Sequence, residues 1–136
     1  MEKGWLLVAT ENREKARHIS KIFEDANFLN PIAFATSAEK TMALLKQEEG
    51  EHRPVQLLFL ELATEWCWSL LEEIQNVSEL SKLPVVALVN GNEELLDRAY
   101  EMGVKTYLRM PFTFPQFLER SRLLNLRYVI LRSADQ

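Results

Sequence analysis

The chain has 136 residues, 47% hydrophobic and 26% charged, with a formal net charge of −4. That length suits one domain with a full-sized core, spanning 1–136, and the composition is that of a globular chain rather than a disordered or fibrous one. The acidic balance argues against direct DNA or RNA contact, which needs a basic face, and no apolar run is long enough to cross a membrane.

Trp5 to Ala9 is a short apolar run and predicts a first strand. Thr10, Glu11 and Asn12 follow, polar and suited to capping a helix. Ala16, Ile19, Ile22, Phe23 and Ala26 then recur at helical spacing between charged residues, giving an amphipathic first helix. Pro31 to Ala35 predicts a second strand. Thr36 and Glu39 fit a capping box that opens a second helix with Ala38, Met42 and Leu45 inward. Gly50 to Pro54 breaks the chain before a third strand, Val55 to Glu61. Trp66, Leu70, Leu71 and Ile74 mark a third helix, and Val85 to Val89 a fourth strand. Asn90-Gly91-Asn92 is a turn expected to cap a fourth helix carrying Leu95, Leu96, Ala99 and Met102, which Gly103 ends in a left-handed conformation. Thr106 to Arg109 predicts a fifth strand, and Pro111 and Pro115 lead into a last helix running to about Leu131.

Strands alternating with helices imply right-handed crossovers and a doubly wound parallel α/β sheet. A (βα)5 arrangement of this length suits the flavodoxin-like five-stranded strand order 2-1-3-4-5, whose crevice lies at the carboxyl ends of strands 1 and 3. The run Gln56-Leu57-Leu58-Phe59-Leu60-Glu61 therefore has a particular meaning: a strand buried on both faces that ends in one acid at that crevice. A single cysteine, Cys67, leaves no internal disulfide and points to a reducing, cytoplasmic setting. Met1 to Gly4 has no signal-peptide layout.

Four segments resemble the response-regulator receiver domain over nearly the whole chain. They are Leu6-Leu7-Val8 with its polar turn, the apolar strand ending in Glu61, Leu83-Pro84-Val85-Val86-Ala87-Leu88, and Ala99-Tyr100-Glu101-Met102-Gly103-Val104-Lys105-Thr106-Tyr107-Leu108-Arg109-Met110-Pro111-Phe112. The last looks like the family's Ala-x-x-x-Gly-Ala-x-x-Tyr-Leu-x-Lys-Pro-Phe stretch. The resemblance implies a phosphoacceptor pocket: two acids holding Mg²⁺ after strand 1, an Asp ending strand 3, a Thr or Ser after strand 4, and a Lys before the Pro after strand 5. Here those positions read Ala9 and Thr10, Glu61, Val89 and Met110. The resemblance is thus to a degenerate, pseudo-receiver form. It also implies a cis bond between Met110 and Pro111.

No cofactor is expected. Glu11, one residue beyond the acid-pair positions, offers with Glu61 the alternative of weak Mg²⁺ binding. Glu61 reads as a permanent stand-in for a charged state or, the preferred reading, as a remnant that is solvated or capped by backbone N–H groups. Val89 and Met110 read as strand-end residues covering core, and Tyr107 as a static, half-buried ring at a partner surface. Trp66-Cys67-Trp68 is core or rim, with an adhesive patch or lid as the alternative. His18 and His52 read as solvated.

The expected function is a receiver-like, non-enzymatic module in two-component-type signal transduction that works without phosphorylation through a protein partner or homodimer. The expected surface is the fourth helix, fifth strand and last helix, including Leu96, Tyr107, Arg109, Phe114, Arg122 and Tyr128. Apolar residues from Leu123 to Leu131 point in more directions than one stripe allows and call for cover on more than one side. One alternative is a residual phosphoacceptor using Glu61 or Thr64 with Glu11. Another is an allosteric small-ligand module between Thr10, Glu61 and Asn90, lined by Val89, Met110 and Trp66.

Overall fold

In the computed structural model, which describes residues 4–46 and 55–124, strands without polar alternation are covered on both sides. The elements run β1 (Trp5–Ala9), α1 (Arg13–Asp25), β2 (Ile32–Ala35), α2 (Ala38–Leu45), β3 (Val55–Glu61), α3 (Cys67–Asn76), β4 (Val85–Val89), a 3₁₀ turn (Glu93–Leu95), α4 (Leu96–Glu101), β5 (Thr106–Arg109) and α5 (Phe114–Leu123). The five strands form one sheet in the order β2-β1-β3-β4-β5, and every pair is parallel. This is the flavodoxin-like α/β architecture expected from the pattern.

Alternate strand residues go to opposite faces, as the period of two requires. Leu7, Leu58, Leu60, Val85 and Ala87 join Met42, Leu45, Leu70, Leu71 and Ile74 beneath α2 and α3. Leu6, Val8, Leu57, Phe59, Val86 and Leu88 face Ile19, Phe23 and Phe117 beneath α1 and α5. Phe23 is the hub of the second face, with ring centroids 4.8 Å from Phe117, 5.0 Å from Phe28 and 6.3 Å from Phe59.

The caps differ in detail from the sequence reading. Ser37 rather than Thr36 caps α2. Its backbone is extended, and its hydroxyl accepts from the Lys40 N–H at 3.1 Å, while Thr36 is exposed. Asn92 does not cap α4. Its side-chain oxygen instead accepts from the Asn90 N–H at 2.9 Å, closing the turn on itself, and the helix opens through the 3₁₀ turn. α5 has a full capping box from Thr113 and Gln116. Gly91 and Gly103 have φ of 79° and 103°, and the Met110–Pro111 bond is cis. The expected continuation of the last helix to Leu131, with Tyr128, and the reading of His52 lie outside the described residues. Among the described residues no helix is long and apolar enough to cross a membrane.

Candidate functional site

β1 and β3 are neighbours at the centre of the sheet, with Ala9 paired to Leu60. The next residue on each strand, Thr10 and Glu61, therefore comes side by side at the carboxyl edge. Both are buried, 2% and 4% exposed. The Thr10 hydroxyl accepts the Asn12 N–H at 3.1 Å and donates to Glu61 Oε1. The Asn12 side chain caps α1 by accepting the Lys15 N–H at 3.0 Å, which fixes the first turn. Helical side chains lean toward the helix N-terminus, and that end of α1 lies at the same edge of the sheet. The long stem of Lys15 thus carries its ammonium onto Glu61 Oε2, closing an ion pair.

Glu61 is consequently neither solvated nor capped by backbone N–H groups, contrary to the preferred sequence reading. A carboxylate this deep is costly unless it is paired and hydrogen-bonded, and here each oxygen has its own side-chain donor. Lys15 is the residue that the sequence reading does not find, because it stands among the charged residues between the apolar positions of α1. The signal was present: Lys15 lies four residues before Ile19 and eight before Phe23, in phase with the buried stripe.

Ala9 is fully buried and brings no functional group. Glu11 is exposed and is not brought onto Glu61; its carboxylate accepts the Trp66 indole N–H at 2.5 Å, bridging the loops after β1 and β3. Val89 packs in the α2–α3 core, and Met110, 7% exposed, in the α1–α5 core, so both cover core as expected. Thr64 is buried, its hydroxyl donating to the Glu61 carbonyl at 3.1 Å. The groove at this edge, about 260 Å³, is lined by Glu14, Lys15, His18, Asn90, Met110 and Pro111. It therefore meets Asn90 and Met110 but not Thr10, Glu61, Val89 or Trp66.

The receiver resemblance implies Mg²⁺, a hard cation that binds through oxygen ligands in near-octahedral geometry. The residues do not fit it. One carboxylate stands in the pocket with an ammonium already on it, and the second candidate, Glu11, is engaged by Trp66. Among the described residues no group of three or more His, Cys, Asp or Glu side chains is arranged to hold a metal.

Beside the pocket, Cys67 is buried, with its thiol pushed up to about 11 by desolvation. The Arg98 guanidinium lies 4.3 Å from the centre of the Trp68 ring, joining α4 to α3. The Trp66–Trp68 segment is accordingly rim and core. His18 is exposed, as read.

On the α4–β5–α5 face Tyr107 is half-buried, with the Arg120 guanidinium 4.9 Å from its ring centre. Arg109 Nε meets Glu93 Oε2 at 2.5 Å. That hydrogen bond holds the Glu93 carboxyl below its ordinary range and raises the Arg109 guanidinium. Leu96 is half-buried against the α2–α3 core, and Arg122 is exposed. Phe114 does not belong with these side chains. Its ring lies 5.9 Å from Phe23, 5.9 Å from Phe28 and 5.7 Å from Phe117, so it serves the α1–α5 core.

No protein-family model and no curated protein matches the chain. Solved structures do. The bacteriophytochrome response regulator AtBRR aligns at a TM-score of 0.82 and 21% identity, covering 98% of this chain and 100% of that one. The phosphorylated cyanobacterial phytochrome response regulator RcpA aligns at 0.70 and 21%, covering 92% of each chain. The response regulator RPA3017 in red light signalling of R. palustris aligns at 0.73 and 19%, covering 89% of this chain and 90% of that one. Strand order and these alignments agree: the chain has the fold of response-regulator receiver domains.

Proposed function

We propose that this chain is an atypical receiver domain of two-component-type signal transduction that acts by protein–protein interaction and not by phosphorylation. The observation that carries this reading is the buried Glu61 carboxylate with both oxygens taken, one by Thr10 and one by Lys15. A phosphoryl group would bring nearly two charges and three acceptor oxygens. It would arrive where the hydroxyl and lysine positions hold Val89 and Met110. The partner surface is α4–β5–α5, where Tyr107, Arg109, Arg120 and Arg122 present aromatic and guanidinium groups of the kind enriched at interfaces. No catalytic step is assigned.

The test has two arms. The purified chain is treated with Mg²⁺ and beryllofluoride while tryptophan fluorescence is followed, and with a small-molecule phosphodonor before intact-mass measurement. The reading expects no saturable fluorescence change and no phosphoryl adduct; an adduct lost in Glu61→Ala refutes it. In the second arm, sedimentation at high concentration and partner capture from cells are compared for the wild type and Tyr107→Ala. A chain that stays monomeric and captures no partner counts against the surface.

The groove beside Lys15 and His18 favours one further reading, an allosteric site for a small ligand. Saturable thermal stabilisation by a metabolite, lost in His18→Ala, would support it.

A further inference from the structure

We infer that Lys15 is a tethered counter-ion that takes the place of a divalent cation and makes the pocket independent of metal. The inference rests on the reading that Glu61 is not a phosphoacceptor, and it specifies how that pocket is held. The hydrogen-bond directions are settled by the backbone. The Asn12 N–H occupies a lone pair of Thr10 Oγ1, leaving the hydroxyl proton for Glu61 Oε1. The second oxygen takes the ammonium.

The Lys15 ammonium cancels the Glu61 carboxylate, so a divalent ion has no charge to neutralise there. A divalent ion arriving at Glu61 would meet the ammonium at close range, and cation–cation repulsion would add to the loss of its hydration shell. The side chains differ in depth: 20% of Lys15 is exposed against 5% of Glu61. The acid is the fixed member, and the lysine enters from the groove that it lines with Glu14, His18 and Asn90. Shortening Lys15 should therefore leave an oxygen-lined hole, built from Glu61 and Thr10 and open to solvent. Magnesium or manganese can enter it.

The experiment is calorimetric melting of the full chain in millimolar MgCl₂ or MnCl₂, with NaCl matched for ionic strength. The wild type is expected to show no cation-specific shift. Lys15→Ala is expected to melt roughly 10 °C lower. Mn²⁺ should restore a few degrees saturably, and the restoration should vanish in Lys15→Ala/Glu61→Gln. Lys15→Gln, which keeps part of the stem, serves where the shorter variant does not fold. A saturable Mg²⁺ or Mn²⁺ stabilisation of the wild type overturns the inference, as does a Lys15 variant that no cation restores. The signalling reading fails on other evidence, a phosphoryl adduct or a missing partner, and neither changes the cation response.

Discussion

The Lys15–Glu61 pair predicts an asymmetric mutant cycle. Lys15→Met removes the cation and leaves a carboxylate 5% exposed, so the penalty is that of an unpaired buried charge, about 3–5 kcal/mol. Glu61→Leu leaves Lys15, which is 20% exposed. Its ammonium can swing through the groove to water while the stem stays packed. The loss is then that of hydrogen bonds to a charged group, about 1–2 kcal/mol. Lys15→Met/Glu61→Leu removes both charges. It is expected within about 1 kcal/mol of the wild type, because an apolar pair of similar volume commonly replaces a buried ion pair at no cost. Urea unfolding of the four proteins, with matching m-values, measures each corner. Equal losses for the two single variants, or a double variant as unstable as their sum, would refute the reasoning. The ion pair would then be a surface contact without energetic coupling.

Three further outcomes follow from the core and backbone. Phe23→Ala empties the hub of the α1–α5 aromatic cluster and should cost about 3–5 kcal/mol in urea unfolding, whereas Phe34→Ala, which lacks those ring contacts, should cost less. The Cys67 thiol titrates near 9.0 when unfolded and about 11 when folded, because burial disfavours the thiolate. Its contribution is full below pH 9 and is lost as pH rises toward 11, since only the unfolded state gives up the proton there. Melting across that window, compared with Cys67→Ala, measures it. Gly103 has φ of 103°, a backbone that side-chain-bearing residues rarely adopt, so Gly103→Ala should lose about 1–3 kcal/mol by chemical denaturation.

The fold was legible because parallel strands buried on both faces leave continuous apolar runs, and Val55 to Glu61 and Val85 to Val89 are such runs. Boundaries were less so. Thr36 and Ser37 are both good caps, and only the extended backbone at Ser37 decides between them. At the site, the acid at the end of β3 and its threonine neighbour could be read from strand order. The lysine could not be read from charge alone, since a charged residue in a helix is usually solvated. Its phase relative to Ile19 and Phe23 held the information. Phe114 was misplaced for a related reason. It stands at the first position of α5, where the direction of its ring depends on how the loop after Pro111 turns, and that turn brings it to Phe28 rather than to α4.

The Trp66–Glu11 bridge ties the loop after β1 to the loop after β3, and the Lys15–Glu61 pair ties α1 to the same strand end. Under the proposed reading, a domain clamped in this way would offer a partner one shape, and its message would lie in its amount. Occupancy of the partner follows the ratio of free domain to Kd, and half-response comes where the two are equal. On that reading control would pass to synthesis and turnover, and the chain would serve as a gauge of its own abundance.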